Sequence, residues 1–177
     1  MDTTVHTNLY PNLISLGSAK GYAKEIYSII DKVPLFGVLM HAEVDVLCEH
    51  MKCYTAPRGT VILKENDAGN HMILVLTGMI DIQKKELAVG GQGPIAKAGP
   101  GSMLGEMSFV DDRPRFASCV TTESTDFAVL TRADLEVIAL SHPRFSNKFL
   151  FALLQLMVKR LRDTTNRLLP NASQVIV

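Results

Sequence analysis

Leu104-Gly105-Glu106-Met107-Ser108, followed by Arg113-Pro114-Arg115-Phe116-Ala117-Ser118, is the stretch on which the reading of this chain turns. It joins a glycine with open backbone, a carboxylate, and an arginine nine positions after that carboxylate. Main-chain N–H groups after a glycine form an anion nest, strongest where a short helix begins. Arg115 offers phosphate a bidentate fork. Glu106 cannot bind phosphate but accepts hydrogen bonds well from a sugar hydroxyl. The set suits a small ligand carrying one phosphate and one ribose hydroxyl.

Outward from this stretch the chain is rich in turns. Nine of its 12 glycines lie from Gly59 to Gly105, and none follows. Between them sit short apolar runs, Val61–Leu63, Met72–Leu76 and Met79–Gln83, and after them Phe116–Val120 and Asp126–Leu130. Strands this short, joined by glycine-bearing turns, predict an antiparallel sandwich or jelly roll.

The flanks read as helix. Ala23–Ile30 and Ala42–Cys48 carry apolar residues at helical spacing. Thr131-Arg132-Ala133-Asp134 opens a helix on a threonine cap, and Ser141-His142-Pro143 ends it. A long helix is predicted over 143–170, closed at Pro170. On it Leu150, Leu154, Met157, Leu161, Thr164 and Leu168 step by four and three, an a/d seam with one polar position. Phe149, Leu153 and Leu156 form a second row that can face the domain while the seam faces a second copy of the chain. The alternative is a single helix that covers its own core. The expected organisation is a flexible segment over 1–20, a β-barrel with N-terminal helices over 21–142, the long dimerisation or lid helix over 143–170, and a tail over 171–177.

The 177 residues suffice for one domain with added helix, and 47% are hydrophobic. Lys plus Arg equals Asp plus Glu at 18 each, which argues against a dedicated nucleic-acid binder. Cys48, Cys53 and Cys119 form no CxxC pair and read as reduced thiols of a cytoplasmic protein. No signal peptide or membrane-spanning run is expected. The five histidines show no metal-ligand spacing. Ser108 lies outside a nucleophile elbow. Gly90-Gly91-Gln92-Gly93-Pro94 lacks the Lys-Ser/Thr ending of a phosphate loop and reads as a hairpin connection. No enzyme activity and no metal is expected. Lys159, Arg160, Arg162 and Arg167 read as a solvated basic face.

These residues together resemble the cyclic nucleotide-binding domain family, as found in bacterial catabolite-activator-type regulators and in regulatory subunits of cAMP-dependent kinases. The resemblance runs from about Val33 to Leu168. It is carried by Val33-Pro34-Leu35-Phe36, Pro57-Arg58-Gly59-Thr60-Val61-Ile62, Met72–Gly78, Leu104–Ser108 and Pro114–Ala117. It implies an eight-stranded jelly-roll β-barrel, mainly β, with N-terminal helices and a long C-terminal helix. It implies a cyclic nucleotide-binding set: backbone N–H groups of Gly105, Glu106, Met107 and Ser108 on the cyclic phosphate, Glu106 on the ribose 2′-hydroxyl, Arg115 on the exocyclic oxygens, and Leu104, Phe116 and Ala117 beside them. Met157–Thr165 resembles the dimerising helix of the bacterial activators, which places Thr164 and Thr165 where hydroxyls read the adenine amino group. Unaided by that resemblance, a threonine on such a seam bonds either to a bound partner or to the carbonyl four residues before it.

Two departures qualify the match. Phe116 stands where many members carry a small or hydroxyl residue, which leans toward cAMP over cGMP and also fits a modified pocket. Glu65-Asn66-Asp67 lacks the usual middle glycine, but asparagine tolerates the left-handed backbone. Only 171–177 follow the long helix, so no DNA-reading helix is expected. The expectation is a stand-alone sensor for cAMP (or cGMP), a homodimer that signals to an unidentified downstream protein without direct DNA or membrane binding. The alternative is a protein-interaction module whose pocket is vestigial or takes another anion, such as a cyclic dinucleotide.

Overall fold

The structure, a computed structural model, describes residues 9–30, 39–85 and 94–172. Val33–Phe36 and Gly90–Gly93 lie outside the described residues, as do 173–177 and the side chain of Leu168.

Strands β1 (Ile14–Ser18), β2 (Lys52–Ala56), β3 (Val61–Leu63), β4 (His71–Val75) and β5 (Ile80–Gln83) precede the Gly105 stretch. So do β6 (Ala96–Ala98) and β7 (Met103–Leu104), whereas β8 (Ser118–Thr121) and β9 (Thr125–Thr131) follow it. They form two antiparallel sheets, ordered β1-β2-β9-β4-β7 and β3-β8-β5-β6. The helices are α1 (Ala23–Ile30), α2 (His41–His50), α3 (Glu106–Asp111), α4 (Arg132–Ser141) and α5 (Pro143–Ala172). The fold is the mainly-β jelly roll with flanking helices that the sequence predicts.

The period-two rule assigns the core. On β4, Ile73 and Val75 point between the sheets, while Met72 and Leu74 point to the helices. On β9, Phe127 and Val129 join the first set, and Ala128 and Leu130 the second. Both strands are therefore covered on both faces, which explains their unbroken apolar runs. Against the outer face pack Val44 and Leu47 of α2, Ile138 of α4, and Phe145, Phe149 and Leu153 of α5. Thr131 caps α4 by accepting from the Asp134 N–H at 3.0 Å, as its sequence predicts.

Three expectations are corrected. Nine strands are present among the described residues rather than eight. Residues 1–20 are not loose throughout: Ile14–Ser18 pairs with β2, and its exposed pattern and a bulge at Gly17 (φ 87°) hide it from periodicity. Leu9, Tyr10 and Leu13 also pack against the inter-sheet core. Finally, α5 continues through Pro170 to Ala172, so Asn171 and Ala172 are helix rather than tail. A proline removes one donor and crowds the carbonyl four residues back, which near a helix end falls short of stopping it.

Candidate functional site

The Gly105 stretch leaves β7 and turns at once into α3. Gly105 has φ 80°, and a Cβ there would sit 2.5 Å from Arg115 Nη1 and 3.0 Å from Leu63 Cδ1. Only glycine supplies both the backbone angle and the clearance. Across the site, Gly69 does a related job: a Cβ there would meet Ser108 Cβ at 2.3 Å. The two glycines let three backbones close around one guanidinium.

Arg115 itself is clamped at its main chain. Its carbonyl accepts from the Asn66 N–H at 2.9 Å, and its N–H donates to Asp67 at 2.8 Å. Asn66 carries φ 69°, so asparagine does take the left-handed turn position. The side chain points inward and is 3% exposed. Nη1 donates to the Gly105 carbonyl at 2.9 Å and Nη2 to the His71 carbonyl at 2.6 Å. Both acceptors are neutral, and among the described residues no carboxylate lies within ion-pair distance of this guanidinium. Burial lowers its pKa. A buried cation with only carbonyl partners favours an anionic guest.

Glu106 is 3% exposed and opens α3. Its partner is Arg160 of α5, whose Nη1 donates to Glu106 Oε1. Arg160 Nη2 donates to the Met103 carbonyl at 2.6 Å. The far half of α5 is thereby pinned to β7 and α3, while Lys148 pins its near half to Glu43 of α2 at 2.7 Å. The solvated basic face is corrected at this one residue. Its position was legible: Phe149, Leu153, Leu156 and Arg160 step by four, three and four, so Arg160 continues the row that faces the domain. Phe149 and Leu153 are buried there, as that row predicts, and Leu156 packs partly buried against the same core.

A cavity of about 120 Å³ opens here, lined by Leu104 to Ser108, Arg115 to Ala117, Cys119 and Arg160, with Leu63 and Ile82. Leu104, Gly105, Glu106, Met107, Ser108, Arg115, Phe116 and Ala117 are thus brought together. Thr164 and Thr165 are not: both are exposed, neither lines the cavity, and the Thr164 hydroxyl donates to the Arg160 carbonyl at 2.8 Å. Leu150, Leu154 and Leu161 are 45%, 54% and 67% exposed, so the predicted seam faces away from the core, with Met157 half-buried.

Phe116 is 52% exposed at the cavity mouth, and Lys84 Nζ lies 4.2 Å above its ring centroid. Lys84 also donates to the Phe116 carbonyl at 3.1 Å and pairs with buried Glu65 at 3.4 Å. Burial pushes the Cys119 thiol up to about 12, so it lines the wall as an inert group. Behind Arg115, His71 Nε2 lies 2.9 Å from the Tyr10 hydroxyl. Burial, then the Arg115 charge, pushes His71 down to about 4. Tyr10 sits edge-on to Tyr54 at 5.2 Å and Phe127 at 5.3 Å, and burial raises its pKa. Sequence reading missed this pair, because nothing local to either residue places it beside Arg115.

Among the described residues there is no metal-ligand cluster, and no helix is long and apolar enough to cross a membrane. Residues 55–142 match the family model for the cyclic nucleotide-binding domain. The crystal structure of a cyclic nucleotide-binding domain from Methylobacillus flagellatus KT superposes with a TM-score of 0.81 at 41% identity, covering 97% of this chain and 96% of that one. The cyclic AMP receptor protein of Thermus thermophilus is 32% identical over 130 residues, which are 73% of this chain and 58% of that protein. A regulatory subunit of cAMP-dependent protein kinase from Aspergillus niger is 30% identical over 105 residues, 59% of this chain and 25% of that subunit. The chain thus spans only part of the length of these two curated relatives. Sheet order, the Gly105–Arg115 cradle and these likenesses agree: the chain belongs to the cyclic nucleotide-binding domain family.

Proposed function

We propose that this chain is a receptor for a cyclic mononucleotide, cAMP in the first place, rather than an enzyme. It signals to a downstream protein through α5 as a homodimer. The observation that carries this reading is Arg115: a 3%-exposed guanidinium with no carboxylate within ion-pair distance among the described residues, lining a cavity that Glu106 also lines. The guanidinium and the first amides of α3 take the cyclic phosphate, and Glu106 takes the ribose hydroxyl. The names of the Thermus receptor and the Aspergillus subunit support cAMP as the ligand.

Ligand entry makes the ribose compete with Arg160 for Glu106. That competition couples the pocket to α5, because Arg160 is the contact between the helix's far half and the Gly105 stretch. A two-state helix biased by a local charge event is a recognised form of switch. Thr164, one turn beyond Arg160, and Thr165 are proposed to read the adenine amino group once α5 resettles and the Thr164 hydroxyl leaves the Arg160 carbonyl.

Calorimetric titration with cAMP and cGMP tests the reading. A hydrogen bond to a charged group contributes roughly 1.5–3 kcal/mol, so Arg115→Ala weakens cAMP binding by about ten- to hundredfold. Equal affinity in the variant removes the assignment. A second reading, a protein-interaction module or a pocket for another anion such as a cyclic dinucleotide, is favoured by Phe116, which lines the small cavity where many family members carry a small or hydroxyl residue. Thermal shift separates the two, since a ligand at 100 times its Kd adds about 2.7 kcal/mol. A shift with a cyclic dinucleotide and none with cyclic mononucleotides selects the second.

A further inference from the structure

We infer that Phe116 is a base-stacking shelf, the residue on which the nucleotide's purine lies; this rests on the proposed reading of the pocket as a cyclic-nucleotide site. The argument begins with size. The cavity holds about 120 Å³, whereas pockets that bury a whole small molecule run to roughly 300–1,000 Å³. Two of its charged groups sit deep, Arg115 and Glu106 at 3% exposure each, and they claim the phosphate and the ribose, while the third, Arg160, is 40% exposed and held by Glu106 and the Met103 carbonyl. The base is therefore left at the rim.

The rim on that side is apolar and open. Phe116 is 52% exposed and Met107 45%, and both line the cavity. An aromatic ring exposed next to the phosphate-binding arginine offers the π-face that a purine needs.

The ring is held in place. Lys84 Nζ lies over one face at 4.2 Å and donates to the Phe116 carbonyl at 3.1 Å. Lys84 is in turn paired with Glu65, which is 5% exposed and accepts the Lys85 N–H at 2.9 Å. A cation on one face fixes the ring's tilt and draws electron density from it. The other face then receives an electron-rich purine at little ordering cost. Any purine stacks, so the shelf supplies affinity for the base, while the choice between adenine and guanine is left to hydrogen-bonding groups.

The sequence provides a direct probe, because it contains no tryptophan. In Phe116→Trp, emission reports on this position alone and is expected to change on cAMP addition, saturating at the calorimetric concentration. Phe116→Ala is expected to lose about tenfold or more in cAMP affinity, yet to bind the base-free cyclic phosphate of methyl riboside as the wild type does. Equal loss for both ligands overturns the shelf, since the ring would then be shaping the phosphate site. So does a wild type that binds cAMP while the Phe116→Trp emission stays constant. If the wild type binds neither cyclic nucleotide, the reading of the pocket fails first and the shelf falls with it. The ring is half exposed, so both variants should fold, and a circular-dichroism melt checks that they do.

Discussion

The guanidinium of Arg115 donates to the main-chain carbonyl of His71 at 2.6 Å, so the proposed anion-binding residue sits on a histidine whose ring burial keeps neutral. In the folded protein the His71 ring resists protonation until about pH 4, whereas the unfolded chain takes up that proton near 6.5. Between those values the unfolded state binds more protons, and stability must fall as pH falls. Urea melts at pH 7.5 and 4.5 check this. The wild type should lose on the order of 1–3 kcal/mol that His71→Gln does not. Carboxylate titrations are common to both proteins and cancel in the difference. Parallel loss in the two proteins contradicts the assignment.

Arg160→Ala strands the Glu106 carboxylate at 4% side-chain exposure. Breaking a buried pair from one side costs about 3–5 kcal/mol. Arg160 is 40% exposed, so the expected cost here is smaller, about 1–2 kcal/mol. Glu106→Gln combined with Arg160→Met should recover most of it. Hydrogen exchange along α5 gives the second readout. Amides beyond Leu156 lose protection in Arg160→Ala while those near Phe149 do not.

Gly69→Ala forces a methyl to 2.3 Å from Ser108 Cβ and 3.2 Å from Arg115 Cζ. Overpacking of this kind costs about 1–3 kcal/mol. The neighbouring β-carbon gives the test its specificity, because Ser108→Gly in the same chain should relieve the clash. Thermal melts of the two single variants and the double variant reveal the coupling, and additive losses would mean that the contact is not the cause.

The exposed α5 seam makes a prediction that separates assembly from folding. Leu154 and Leu161 are 54% and 67% exposed, so Glu at both positions should shift stability by no more than about 0.5 kcal/mol per site within one chain. The same change places two charges on the proposed dimer interface. Sedimentation velocity should show a wild-type dimer and a double-variant monomer. A variant that sediments as the wild type does removes the seam.

The strands easiest to read were those buried on both faces: the Met72–Leu76 run became β4, and Asp126–Leu130 became most of β9. The three-residue β6 and two-residue β7 are too short to show a period. The exposed β1 has no apolar alternation to show. The cradle was legible because Gly105, Glu106 and Arg115 are close in sequence. Of its outer contacts, Arg160 continues the row of Phe149, Leu153 and Leu156 that faces the domain, whereas Tyr10 arrives only through tertiary folding. Thr164 shows the limit of a heptad: a polar seam position accommodates either a guest or its own helix, and its hydroxyl here bonds to its own helix.

The packing of Tyr10 gives the amino-terminal end an unexpected reach. The phenol lies among Tyr54, Phe127 and His71, and the carbonyl of His71 receives Arg115. Tyr10 is thereby moored inside the roll, one residue away from the Arg115 guanidinium. Through His71 the first described residues become a buttress of the proposed anion site, remote from it in sequence yet adjoining it in space.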